Sequence, residues 1–336
     1  MRSAVSPRRL TIAIAPAVAA LLAGCAGAPT GGQGPAAPSS AGSATPVTMT
    51  NCGEQVTVAQ PPEKLVTLNQ AATETALALG LADRMVGTAY LDDAVPAEYE
   101  NAYDSVTVLA KEYPSKEQFL AAGPDFAYAA FASAFTDKAV GTRAELGQEG
   151  IGSYVSPFGC AKGTKPAEAT FENGWKEITE IATIFDVPDN AKKLVDTQKQ
   201  QVADVKAAGA GKGMTILWYD SGDRTPLVGA GGGGPQLIID AVGGTNVFVG
   251  LDGGWSDGSW EKVVAANPDV IVLADASWDS ADKKKKYLAS DPTLSKLDAV
   301  KNERFVVVPF SESTPGVRLV DGAESVGRQI AALPAS

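Results

Sequence analysis

Short apolar runs alternate with amphipathic stretches from Lys64 to the end of the chain, the pattern of layered α/β structure. Residues 64–68, 85–89, 106–110, 125–130 and 152–156 read as strands, with helices over 72–81, 116–122 and 136–147 between them. Two longer helical stretches follow, 171–185 and 189–208, separated at Val187-Pro188. Ile178, Ile181 and Phe185 mark an apolar face on the first, and Leu194, Val195, Val202 and Val205 on the second. At about 1.5 Å per residue, the second would reach about 30 Å, long enough to cross between lobes. Strand-like runs resume at 214–219 and 227–230, a helix starts at Pro235, and further strands fall at 269–274 and 305–310 before a last helix over 320–333.

One phrase occurs twice. Glu117-Gln118-Phe119-Leu120-Ala121-Ala122-Gly123-Pro124-Asp125 returns 144 residues later as Glu261-Lys262-Val263-Val264-Ala265-Ala266-Asn267-Pro268-Asp269. Each copy runs into a buried-looking strand. A single recurrence half a chain apart implies two lobes of like design, whereas a solenoid needs many tandem copies. Two lobes enclose a cleft, and such clefts bind small molecules. Asn69 and Gln70 fall where the first strand hands over to a helix, the usual binding edge of an open α/β sheet.

The first residues carry an address. Arg2, Arg8 and Arg9 precede an apolar run, 10–22, too short for a membrane span of about 20 residues. Leu22-Ala23-Gly24-Cys25 resembles the bacterial lipobox, whose cysteine is lipidated and becomes the first residue. Residues 26–46 are Gly, Ala, Pro, Ser and Thr with a lone Gln33 and no charge, a composition that cannot bury a core and suits a tether. The expected location is the extracytoplasmic face of the cell membrane, held by lipid on Cys25.

Charge and cysteine usage agree with export. The sequence holds 28 basic and 39 acidic groups; without 1–24, which carry three arginines and no acid, the balance is 25 against 39, a net −14. That argues against nucleic acid or an anionic membrane surface as partner. With Cys25 used by the lipid, Cys52 and Cys160 remain, and an exported protein is expected to pair them. The rival is a pair of free buried thiols. A bridge would close a loop of about a hundred residues, worth at most about 4–5 kcal/mol on the chain-entropy account.

Further phrases carry a family resemblance. Pro61-Pro62-Glu63-Lys64-Leu65-Val66-Thr67-Leu68 leads to Ala72-Thr73-Glu74, then to Leu79-Gly80-Leu81-Ala82-Asp83-Arg84-Met85-Val86-Gly87. With both Glu-to-Pro-Asp phrases and Asp298-Ala299-Val300-Lys301-Asn302-Glu303-Arg304-Phe305, this resembles the iron-siderophore and cobalamin periplasmic binding proteins of ABC importers, over about 54–333. The resemblance implies two Rossmann-like lobes joined by a long interlobe helix. It implies that Glu117 and Glu261 dock arginine pockets of a permease served by an ATPase, two carboxylates far apart fixing orientation. A helix-dipole role in the first turn is the alternative. It also implies cleft positions for Lys111 and Trp255, six residues before each glutamate, and for Arg318. For Trp255 ordinary loop packing is the rival; for Arg318, a surface charge at a helix start.

The ligand's chemistry is bounded from two sides. The sequence has no histidine, so imidazole-type zinc or manganese sites and His-ligated haem are excluded. Ser-His and Cys-His nucleophile pairs are excluded with them, and no enzyme is expected. Lys283–Lys286 reads as a solvated face. The run Gly229-Ala230-Gly231-Gly232-Gly233-Gly234 before Pro235 offers amides for a phosphate or carboxylate, or else a tight packing turn. Trp218-Tyr219-Asp220-Ser221-Gly222, that run, and Pro309-Phe310-Ser311-Glu312-Ser313-Thr314-Pro315 also resemble an actinobacterial subgroup proposed to import a deazaflavin coenzyme precursor, a flat ring with a phosphodiester. Tyr90, Phe131, Phe158, Trp218 and Tyr219 follow strand ends and are weaker contacts.

The expected organisation is therefore a signal segment over 1–24, a tether over 25–47, lobes over 48–170 and 209–336, and a helical bridge over 171–208. The expected function is capture of a metal-chelate or cofactor-type ligand in the cleft and delivery to the permease, as a monomer without a resident cofactor. A surface receptor or adhesin outside transport is the competing class. Ligand contacts are expected from Trp255, Arg318, Lys111, Tyr90, Asn69, Phe131, Tyr219, Gly231, Gly232 and Gly233.

Overall fold

A computed structural model describes residues 46–334. The expected signal segment, Cys25 and all but the last two residues of the expected tether lie outside them. The described part opens with a hairpin the sequence reading missed, β1 (Val47–Asn51) and β2 (Glu54–Val58), antiparallel and turned by Cys52 and Gly53 at positive φ. Its strands are short and half exposed, so the alternation they carry is faint. Cys52 is bonded to Cys160, closing a separation of 108 residues. The Asn51 side chain extends the clasp, donating to the Val155 carbonyl at 2.8 Å and accepting from the Val155 N–H at 2.9 Å.

The first lobe continues through β3 (Leu65–Leu68), α1 (Gln70–Ala78), β4 (Met85–Ala89), α2 (Glu100–Tyr103), β5 (Val108–Ala110), α3 (Lys116–Ala121), β6 (Phe126–Ala129), α4 (Arg143–Gln148) and β7 (Gly152–Val155). All five sheet strands are parallel, in the order β5-β4-β3-β6-β7. Buried on both faces, β3 and β6 read as unbroken apolar or small runs. The helix expected over 136–147 is shorter. Gly141 at φ 98° ends the preceding turns, and Thr142 with Glu145 forms a capping box that starts α4 afresh.

Two helices join the lobes, α5 (Phe171–Ile184) and α6 (Pro188–Ala208). Pro188 occupies the first turn of α6, where its missing N–H costs nothing, and Gly209 closes it in the left-handed region. Ala191 and Val195 pack in the first lobe's core, and Val202 packs in the second's. At about 1.5 Å per residue this helix is a rod of about 30 Å.

The second lobe comprises β8 (Thr215–Ser221), β9 (Leu227–Gly229), α7 (Gly234–Ala241), β10 (Thr245–Asn246), β11 (Trp255–Asp257), α8 (Trp260–Ala266), β12 (Val270–Asp275), α9 (Ala281–Ser290), α10 (Asp298–Lys301), β13 (Phe305–Pro309) and α11 (Leu319–Ala332). Its order, β11-β9-β8-β12-β13, repeats the first sheet position for position, with β10 appended to β8. One strand departs from the copy: β9 runs antiparallel to both neighbours. The repeated Pro-Asp has a structural reason. Asp125 accepts from the Glu63 and Lys64 N–H groups at 2.9 Å, and Asp269 accepts from Thr215 N–H at 2.7 Å, so the aspartates tie the start of β6 to the start of β3 and the start of β12 to the start of β8. Among the described residues no helix is long and apolar enough to cross a membrane.

Candidate functional site

In a sheet of this order the chain leaves the first and fourth strands toward opposite sides, opening a crevice at their carboxyl ends. In the first lobe that crevice lies between β3 and β6, and Asn69, Gln70, Ala130 and Phe131 line a cavity there. Asn69 is held at φ 76°, unusual for a residue other than glycine. Its N–H donates to the Ala89 carbonyl at 2.9 Å, and its Oδ1 accepts from Tyr113 at 3.1 Å. Asn69 is thus buried, doubly anchored and part of the cavity lining.

The second lobe closes the cavity from loops. Gly232, Gly233, Gly253, Gly254, Trp255 and Phe310 line it, enclosing about 310 Å³, at the small end of the range for ligand pockets. Phe131 and Phe158 face in from one lobe and Trp255 and Phe310 from the other. Trp255 and Phe310 are tilted, with centroids 6.0 Å apart, and Trp278 packs edge-on against Phe310 at 5.0 Å. Phe131 and Trp278 keep 47% and 52% of their surface exposed, costly for such rings unless something covers them. Sequence reasoning singled out neither Phe310 as a cavity residue nor Trp278, which stands outside the lining and backs Phe310. The signal was there: Trp278 follows β12, as Phe131 follows β6.

Several expected contacts lie elsewhere. Tyr219 is fully buried in the second lobe's core, its hydroxyl donating to the Gly222 carbonyl at 3.1 Å, and Trp218 is equally buried. Tyr90 does not line the cavity; at φ 64° it packs edge-on against Tyr113 at 4.7 Å. Lys111 is exposed and also outside the lining. Arg318 is buried, neither a surface charge nor a lining residue. It is 3.3 Å from Glu74 of the other lobe, 2.6 Å from Ser311 and 2.8 Å from Glu312. Burial, only partly offset by Arg318, pushes the Glu74 carboxyl up to about 7.

The glycine run resolves toward packing at most of its length. Ala230, Gly231 and Gly232 donate their N–H groups to the carbonyls of Gly254, Leu251 and Gly253 at 2.9–3.0 Å. A Cβ on Gly233 would collide with the Gly254 backbone, so the two loops can approach this closely only because residue 233 is glycine. The Lys283–Lys286 face holds one exception to solvation. Lys284 is 1% exposed and donates to the carbonyls of Ala274 and Asp279, filling the region where β8 and β12 end. Helical spacing turned this one lysine inward.

Glu117 and Glu261 occupy matching positions. Both are exposed at the second residue of α3 and α8, and each helix is capped by a serine, Ser115 or Ser259, again 144 residues apart. Its own N–H and then the Ser115 hydroxyl hold Glu117 below the ordinary carboxylate range; the Ser259 hydroxyl and then its own N–H do the same for Glu261. α3 runs from β5 to β6 and α8 from β11 to β12, so both glutamates stand at the edge where the parallel strands end. No cluster of three or more acidic or cysteine side chains suited to a metal occurs among the described residues.

Comparison with known proteins agrees with this architecture. The uncharacterized ABC transporter substrate-binding lipoprotein YvrC of Bacillus subtilis (strain 168) is 26% identical over 291 residues, covering 85% of each chain. A periplasmic binding protein from Veillonella parvula superposes with a TM-score of 0.75 at 29% identity, over 86% of this chain and 99% of that one. An ABC-type Fe3+-hydroxamate transport system protein from Saccharomonospora viridis gives 0.71 at 27%, over 86% and 100%. Residues 65–312 match the family described as Periplasmic binding protein, and the chain belongs to that family.

Proposed function

We propose that this chain is the extracytoplasmic, lipid-anchored solute receptor of an ABC importer, which captures a metal-chelate or cofactor-type molecule in the interlobe cleft and presents it to a permease through Glu117 and Glu261. The observation that carries the reading is the aromatic cavity between two copies of one fold, each copy bearing a serine-capped, exposed glutamate at the same helical position. A pocket of aromatic faces with a few neutral polar groups suits a bulky ligand with an apolar periphery. The solved relative whose description names Fe3+-hydroxamate transport supports a chelate. Lipidation of Cys25 would keep the receptor at the membrane, with 26–46 as tether.

The test is a ligand screen on the purified full chain by thermal shift and native mass spectrometry, using ferric hydroxamates, ferric catecholates, haem, cobalamin and flavins. Binding of one class with submicromolar affinity, lost on Trp255→Ala, is the expected result. No binding to any class would overturn the chelate or cofactor reading.

A further inference from the structure

We infer that the cleft discriminates by charge: its ligand is uncharged or cationic, anionic chelates and phosphorylated cofactors are rejected, and Asp92 sets the sign. The inference rests on the receptor reading above and narrows its substrate class.

The chain's candidate sources of positive charge for an anion are each committed or displaced. Arg318 is paired with Glu74 and Glu312. Lys284 is buried and bonded to two carbonyls. Three amides of the glycine run are taken by the loop over 251–254, and those of Gly233 and Gly234, at the uncapped start of α7, offer neutral dipoles rather than a full charge. Lys111 is exposed and outside the lining. Among the described residues no lysine or arginine lines the cavity. An anion entering it would lose water without gaining a counter-charge.

One charged group does line it, and it is acidic. Asp92 is half-buried, and its carboxylate has neither a hydrogen bond nor an ion pair among the described residues. Its N–H donates to Gln70 Oε1 at 3.0 Å, which places the residue firmly while leaving the carboxylate free. The nearest acid, Asp93, accepts from the Ser311 N–H at 2.9 Å. Burial, and then Asp93, raise the Asp92 carboxyl above its ordinary range, the response of an acid without a cation. A ligand ammonium or hydrogen-bond donor would supply that missing partner. The remaining polar lining, from Asn69, Gln70, Ser156 and Thr314, is neutral.

Two matched probe pairs test this on the full chain. The first is iron(III)–desferrioxamine B, which carries a pendant ammonium, against its N-acetyl derivative, the same chelate without that charge. The second is riboflavin against its 5′-phosphate. Iron(III)–enterobactin, a trianion, is the extreme case. The more positive member of each pair should bind at least tenfold tighter, with the trianion weaker by on the order of a hundredfold. Asp92→Asn, isosteric and checked by its melting temperature, should erase the ammonium preference. Tighter binding of the anionic members, or an unchanged order in Asp92→Asn, overturns the inference.

If no probe binds, the receptor reading fails for these classes, and the cavity's sign is still measurable. For the fluorescence component lost in Trp255→Phe, the ratio of caesium to iodide quenching should exceed that of free N-acetyltryptophanamide, and Asp92→Asn should lower it. A ratio at or below the free value, or no effect of Asp92→Asn, overturns the charge claim by itself.

Discussion

Arg318 of the second lobe and Glu74 of the first meet 3.3 Å apart, with the glutamate 1% exposed and the arginine nearly as buried. The contact lies outside the cavity lining and braces one lobe against the other. A buried pair adds little over an apolar replacement, yet removing one partner strands the other. Arg318→Ala should therefore cost about 3–5 kcal/mol in denaturant unfolding, whereas the pair of changes Arg318→Met with Glu74→Leu should recover most of it. Ligand affinity should fall only as far as the fold loosens. A stable Arg318→Ala protein with lost affinity would return the arginine to the pocket.

Glu177 of α5 is a buried acid with no cation beside it among the described residues. It accepts from Tyr128 at 2.6 Å and Ser156 at 2.9 Å, and burial pushes its carboxyl up to about 7 from an ordinary 4.5. Because the folded value is the higher one, its stabilising contribution is complete below about 4.5 and is lost as pH rises through about 7. Glu177→Gln should gain on the native protein across that window and lead by on the order of 2–3 kcal/mol at pH 8. A stability difference independent of pH would refute this.

Glu117→Ala with Glu261→Ala should abolish uptake in cells while leaving ligand affinity of the purified protein within about twofold. Ser115→Ala with Ser259→Ala removes the caps but keeps both carboxylates, costing about 1 kcal/mol at each helix, and should spare most transport. Loss of affinity in the glutamate variant would place those side chains in the cleft.

The Cys52–Cys160 bridge holds the hairpin against the sheet. Cys52→Ser with Cys160→Ser should cost about 2–5 kcal/mol, and hydrogen exchange should rise first in β1, β2 and the Asn51–Val155 contacts. Uniform exchange throughout the first lobe would show that the hairpin is not the weak point.

The sheet strands were legible because parallel strands buried on both faces write continuous apolar runs, as β3, β6 and β12 do. The repeat gave the two lobes, and its glutamates fall at equivalent helical positions. What the sequence hid depends on partners far along the chain. Arg318 looked available until Glu74, 244 residues away, came to meet it. The glycine amides looked open until the loop over 251–254 folded onto them. Tyr219 followed the same strand-end logic as Phe131, but its position in the register turned it into the core. The antiparallel β9 was equally hidden, since a three-residue strand carries no mark of its direction.

The joining helices have a consequence for how the protein comes to be folded. Ile178, Ile181, Phe185, Ala191 and Val195 all belong to the first lobe's core, and Val317, from just before α11, joins them. A chain ending near residue 170 would therefore have its first sheet complete but one wall of its core missing. During synthesis or export that half must wait, partly open, until α6 emerges to seal it. The halves that topology counts as two are then a single cooperative unit, expected to melt in one transition.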